Sequence, residues 1–291
     1  MKKICGLCMA ALLVALSGCS DASTNISDPS TKIVTIGNTT ITRGDVYPIL
    51  KNQGGVSSII SQVTKIICDK EVPVDDEIKK KAEESLATFK SLVGEENWES
   101  FIASTGYSSE EEYMNERIIA AAQAEKLVNK YLEQNTDAIF AEYQPRQLQI
   151  FATDNEDTAK QALEKIQGGA EVKDVVSELD GSEEFSGETV LMTSAAGLAS
   201  NVWSKIAEQS EPGVINEVLN TLTFSTYYVV KVVDVDPNNY KEQAVTTLAQ
   251  VKDVQNEGFK FFLDKYNFEI YDIDVYNAFK LDYPYYIDEQ A

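Results

Sequence analysis

Apolar and polar positions along this chain follow two periods. The first clear pattern alternates: Val34 and Ile36, a break at Gly37-Asn38, then Thr40 and Ile41. Such alternation around a Gly-Asn turn predicts a hairpin. Thr42, with Asp45 three residues on, predicts a helix start of the capping-box kind. The period then becomes helical. Ile59, Ile60, Val63, Ile66 and Ile67 fall on one face. "VDDEIKKKAEESLATFKSLVG" opens with carboxylates suited to a helix N-terminus, carries Ile78, Ala82, Leu86, Phe89 and Val93, and stops at Gly94. "ENWESFIASTG" predicts a short helix with Trp98, Phe101 and Ile102 inward. Ser108-x-x-Glu111 predicts the cap of a long helix reaching about Leu132, with Tyr113, Ile118, Ala121, Leu127 and Val128 on its apolar face.

Pro145 marks a change of pattern. A strand is predicted over 147–152, then a helix capped at Thr153-x-x-Glu156 with Ala159, Ala162, Leu163 and Ile166 as its face and Gly168-Gly169 as its stop. A second short helix carries Val172, Val175, Val176 and Leu179. A Gly/Ser/Glu loop leads to "TVLM", a helix around Val202, Trp203 and Ile206, a turn at Glu211-Pro212-Gly213 and a closing strand "TYYVVKVVDV". Pro237 ends this α+β unit. Residues 239–266 predict one more helix through Val245, Leu248, Val251, Val254, Phe261 and Phe262, and an aromatic, acidic tail follows. The expected division is therefore a helical domain over 33–144, an α+β domain over 145–236 and a C-terminal helix and tail over 237–291.

Charge and composition narrow the chemistry. The 291 residues hold 47 acidic and 25 basic side chains, a net charge of −22. That argues against a nucleic-acid surface, which needs clustered Lys and Arg. The sequence has no histidine, so Ser-His-Asp and Cys-His catalysis and His-based zinc sites are excluded. Asp234/Asp236 and Asp272/Asp274 lack the ligand spacing and glycine of a calcium loop. No metal and no cofactor is expected.

The N-terminus has a different character. Lys2 and Lys3 precede the apolar run Ile4–Leu16, which is too short for a permanent membrane span. The run ends in Leu16-Ser17-Gly18-Cys19, which resembles a bacterial lipobox. The expectation is a signal peptide over 1–18, diacylation of Cys19, and a Ser/Thr/Asp-rich flexible tether over 19–32. Two acyl chains suffice for stable anchoring. Cys5 and Cys8 would leave with the signal, so Cys68 would be the one thiol left and have no disulfide partner.

Three stretches together resemble the PrsA/SurA class of extracytoplasmic foldases. They are the lipobox, the run "IVTIGNTTITRGDVYPIL…VPVDDEIKKKAEE…WESFIASTGYSSEEEYMNERI", and residues 146–236, which resemble a parvulin-type prolyl isomerase domain through "AKQALEKIQGGAEVKDVVSEL" and "EPGVI…TYYVVKVV". The resemblance implies an α+β fold, in which a mostly helical N-terminal chaperone domain is completed by a C-terminal helix and joined to a parvulin-like domain. It implies a lipid-anchored protein on the outer face of the cell membrane that assists folding of unfolded or newly secreted polypeptides. It leaves the oligomeric state open.

Parvulins carry histidine in the first and last strands of their sheet. Here those positions fall on Gln149 and Tyr228, and the acidic or cysteine position falls near Leu179 and Asp180. The family's "GGDLG" becomes "SGETV". The resemblance places a proline pocket at Phe151, Met192, Leu198, Trp203 and Tyr228. Neither Gln nor Tyr titrates near neutrality as His does, so isomerase activity is expected to be weak or absent. The alternative is an active parvulin-type isomerase.

Overall fold

The computed structural model describes residues 26–36, 38–195, 197–221 and 225–287. The expected signal peptide, Cys19 and the hairpin residue Gly37 lie outside the described residues. The described residues form two compact units, one of those up to 63 together with those from 267 on, and the other of those within 64–266.

The first unit opens with the antiparallel hairpin β1 (Lys32–Ile36) and β2 (Thr39–Thr42). Thr42 accepts from the Asp45 N–H and Asp45 accepts from the Thr42 N–H, so the capping box forms and starts α1 (Arg43–Leu50). Residues expected to belong to the tether are held at this helix start: Arg43 N–H donates to Thr31 and Gly44 N–H to Pro29, each at 2.8 Å. One π-helical turn over Lys51–Gly55 leads into α2 (Val56–Glu71), within which the first unit gives way to the second.

The second unit continues with α3 (Asp76–Val93), capped by Asp75 and stopped by Gly94 at φ 86°, and α4 (Glu95–Ser104). Next come α5 (Glu110–Tyr113), a π turn over Met114–Ile118, α6 (Ile119–Gln134) and α7 (Thr136–Tyr143). The cap of α5 sits one residue beyond the expected one. Ser109 accepts from Glu112 N–H, and Glu112 in turn accepts from Ser108. Ala82, Trp98, Ile102, Tyr113 and Ile118 form the core of this segment. Three residues assigned to apolar faces are exposed instead: Ile66, Phe89 and Ala121. On α2 the packed stripe turns toward Cys68 and Glu71, which leaves Ile66 at its edge. On α6 the inward small residue is Ala122.

The sheet follows. β3 (Arg146–Thr153) is central. It pairs antiparallel with β4 (Val190–Met192) on one side and β7 (Tyr227–Asp234) on the other, while β5 (Gly213–Val214) and β6 (Leu219–Asn220) add to β7. The helices α8 (Glu156–Gln167) and α9 (Val172–Glu178) lie between β3 and β4 in sequence, and α10 (Ser200–Ala207) between β4 and β5. The cap of α8 is Asn155, whose side chain accepts from Thr158 N–H at 3.0 Å, and not Thr153. Thr153 is still paired in the β3 ladder, and its hydroxyl accepts from Asn155 N–H.

The expected helix over 239–266 is two helices. A 3₁₀ turn over Pro237–Tyr240 starts α11 (Lys241–Leu248). The chain turns at Ala249–Val251 and resumes as α12 (Lys252–Lys265). Gln255 donates to the Ala249 carbonyl at 2.9 Å and so satisfies a group that the break releases. These helices pack on the ones that precede the sheet. Leu132, Ile139, Phe140 and Tyr143 share a core with Tyr240, Ala244, Leu248 and Val254. A Cβ on Gly258 of α12 would lie 2.9 Å from the Tyr131 ring, so a glycine is what permits this approach of α12 to α6. The fold is thus α+β, with a helical body completed by C-terminal helices and a sheet module between them in sequence.

The chain then returns to the first unit as α13 (Ile273–Asp282). Val275 and Phe279 pack with Val56, Ile59, Ile60 and Phe268, so part of the aromatic tail builds its own small core. Lys51 pairs with Asp272 at 3.1 Å and with Asp274 at 2.5 Å. Among the described residues no helix is long and apolar enough to cross a membrane, and no cluster of His, Cys, Asp or Glu could hold a metal ion.

Candidate functional site

Side chains on a strand alternate between the two faces of a sheet, so the pairing of β3 with β7 sorts the expected site residues. Tyr228 stands opposite Ala152, Val230 opposite Ile150, and Val232 opposite Leu148. These six point to one face. There they meet Phe185, Val202, Trp203, Ile206, Ile215 and Leu219, with Met192 and Leu198 partly buried beside them. Four of the five expected pocket residues, Met192, Leu198, Trp203 and Tyr228, therefore come together.

Phe151 does not join them. It pairs with Val229, points to the other face, and is fully buried with Ala162, Ile166, Val172 and Val175 beneath α8 and α9. It is core, not pocket wall, because it is an odd number of residues from Ile150 and Ala152. Gln149 shares the Phe151 face, opposite Lys231. The two positions that the resemblance matched to the family histidines thus lie on opposite faces of the sheet, and Gln149 and Tyr228 form no joint polar centre. The Gln149 Oε1 is enclosed with no hydrogen-bond partner among the described residues. Such an orphan costs about 1–3 kcal/mol. Asp180 is exposed at the left-handed turn that ends α9, at φ 48°. It belongs to neither cluster.

Two neighbours of this cluster on the sheet were not legible in advance. Phe185 packs edge-on against Tyr228, with ring centroids 6.2 Å apart. Its signal was a single aromatic residue in an otherwise polar loop, "GSEEFSGE". Gln144, just after α7, accepts from the Trp203 indole N–H at 3.3 Å. Burial, and secondarily Glu184, pushes the Tyr228 phenol above its ordinary value. It stays protonated at neutral pH and cannot act as a base there.

The module is fastened where it leaves and rejoins the helical body. Tyr240 donates to the Pro145 carbonyl at 3.0 Å and reaches the Asp234 carbonyl at 3.4 Å, so the residue before β3 and the last residue of β7 are clasped by one phenol. Burial, then Asp234, pushes that phenol up to about 12. Ser194 N–H donates to Tyr143 at 2.8 Å, and the Arg146 guanidinium donates to the Val235 carbonyl.

No family model and no curated protein matches the chain. Solved structures do match. The foldase protein PrsA from Streptococcus pneumoniae is 21% identical over 88% of this chain and 100% of that one, with a TM-score of 0.45. The peptidylprolyl isomerase PrsA from Bacillus cereus is 18% identical over 87% of this chain and 98% of that one, with a TM-score of 0.49. One of the SurA-like chaperones described from Campylobacter jejuni is 12% identical over 78% and 92%, with a TM-score of 0.26.

Proposed function

We propose that this chain is a lipid-anchored extracytoplasmic chaperone of the PrsA/SurA kind, which holds unfolded or newly secreted polypeptides while they fold. The observation that carries the reading is the nesting. The sheet module lies in sequence between helices α6–α7 and α11–α12, which pack on each other and carry it as an insert. It supports the division that the sequence resemblance implies, into a helical domain over 33–144, a parvulin-like domain over 145–236 and a completing segment over 237–291. The lipobox-like Leu16-Ser17-Gly18-Cys19 supports diacylation at Cys19 and a place on the outer face of the membrane.

The sheet module acts in this reading as a binding surface with weak or no isomerase activity. Prolyl isomerisation needs an apolar cradle and a polar group tuned to the twisting imide, whose barrier is ~18–20 kcal/mol. Met192, Leu198, Trp203 and Tyr228 supply apolar wall. The chain has no histidine, and Gln149 faces away from Tyr228.

Two measurements on the purified chain test this. It should suppress aggregation of a chemically unfolded model protein at near-stoichiometric ratio; absence of suppression would refute the chaperone reading. It should leave cis–trans relaxation of an X-Pro peptide near its uncatalysed time of tens of seconds. Acceleration that is lost on Tyr228→Phe would favour the active isomerase instead.

A further inference from the structure

One cleft of the protein lies away from the sheet. It measures about 710 Å³ and is lined by Trp98, Ile102, Tyr107 and Lys90 together with Glu95, Glu99 and Glu110. We propose that this cleft receives arginine- or lysine-bearing segments of extended client polypeptides. The proposal rests on the chaperone reading and names the class of segment this chaperone selects.

The chemistry follows from three features. The floor is aromatic and fixed: Trp98 stacks on Phe101 at 5.3 Å and meets Tyr113 edge-on at 5.9 Å. The cleft already holds one cation in the way an aromatic face and a carboxylate jointly do. The Lys90 ammonium lies 5.6 Å from the Trp98 ring centre and 2.5 Å from Glu110, which also accepts from the Trp98 indole N–H at 2.6 Å. These contacts, with Lys90 first, hold the Glu110 carboxyl below its ordinary value despite partial burial. The rim, in contrast, is in excess of negative charge. Glu95 and Glu99 stand four residues apart on α4, both are exposed, and neither makes an ion pair among the described residues. Like charges at this spacing destabilise a helix, and a bound cation would relieve the repulsion. A guanidinium can meet the two carboxylates while its methylene stem lies on Ala103 and the half-buried Tyr107. The volume suits a short run of extended chain rather than one side chain.

Isothermal titration of the intact chain tests this with three nine-residue peptides of one apolar sequence that differ only in carrying two Arg, two Gln or two Glu. The Arg peptide is expected to bind about tenfold more tightly than the Gln peptide at 0.15 M salt, as two charge-assisted contacts supply, and the Glu peptide most weakly. The Glu95→Gln/Glu99→Gln variant should lose most of that preference. Glu183→Gln/Glu211→Gln, an equal change of net charge at exposed sites on the sheet module, should keep it. Equal affinity for the Arg and Gln peptides overturns the proposal. So does a preference that survives Glu95→Gln/Glu99→Gln, or one that both double variants lose alike, since attraction to the whole −22 surface would then explain it. The chaperone reading fails separately, if the unmodified chain suppresses no aggregation while the Arg preference at Glu95 and Glu99 remains.

Discussion

Glu71 closes α2 and is the most heavily bonded buried carboxylate described. Its side chain is 5% exposed and pairs with Lys130 at 2.9 Å and with Lys265, and it accepts from the Tyr266 hydroxyl at 2.6 Å. It thus ties α2 to α6 and to the end of α12. Burial alone would raise its pKa, but the bonds from Lys265, Tyr266 and Lys130 outweigh this and hold it at about 2, against an ordinary 4.5. A depressed carboxylate contributes stability above its unfolded pKa and loses it as pH falls toward the folded one. The full linkage value is about 3 kcal/mol at pH 7, it begins to decline near pH 4.5, and more than half of it is gone by about pH 3. Lys130 and Lys265 are 34% and 43% exposed, so both can rehydrate when Glu71 is neutralised, which reduces the loss. We expect Glu71→Gln to cost about 2 kcal/mol at neutral pH. Denaturant unfolding followed by Trp98 and Trp203 reports on the right body, since both lie in the 64–266 unit. The difference between the original chain and the variant isolates Glu71 from the other carboxylates. A gap under about 0.5 kcal/mol at pH 7, or one that stays constant down to pH 3, would refute the reasoning.

The remaining predictions concern the framework and the anchor. Gly187→Ala forces a Cβ to within 2.6 Å of the Lys173 backbone at φ 78°, and should lower stability by about 2–4 kcal/mol in thermal unfolding; a loss below 1 kcal/mol would mean the loop yields. Tyr240→Phe removes the clasp between Pro145 and the end of β7 and should cost about 1 kcal/mol, seen as faster amide exchange in β3 and β7 than in α3. Lys51→Ala breaks the pairing with Asp272 and Asp274 and should weaken α13 by about 2 kcal/mol, read as accelerated amide exchange over 273–282 with 64–266 unchanged. Cys19→Ala should release the chain from the membrane fraction into the medium, whereas retention would argue against acylation at that residue.

The sequence by itself determined the element types and most of their limits. Period and capping chemistry are local: Thr42 with Asp45, Asp75 ahead of α3, Gly94 after it, and the strand–helix–Gly-Gly run from Arg146 to Gly169 all stand where the residues indicated. The absence of histidine and the excess of carboxylates were fixed there too, and with them the chemistry available to the sheet. Where several polar residues offer a cap, local chemistry alone chose wrongly, as at Ser108 and Thr153, because a neighbouring strand or turn had already engaged the backbone. Only the tertiary structure decided what depends on register and on contacts distant in sequence. A shift of one residue carries a side chain through the sheet, so the alignment that matched Gln149 and Tyr228 to one centre said nothing about the faces they share. Pairing β3 with β7 put Gln149 and Phe151 on one side and Tyr228 on the other. Glu71 with Lys130 and Lys265, and Tyr240 with Pro145, join residues 59 to 194 positions apart in sequence, beyond the reach of any local pattern. The cleft over Trp98 arises in the same way, from α4 and the start of α5 meeting the last turns of α3.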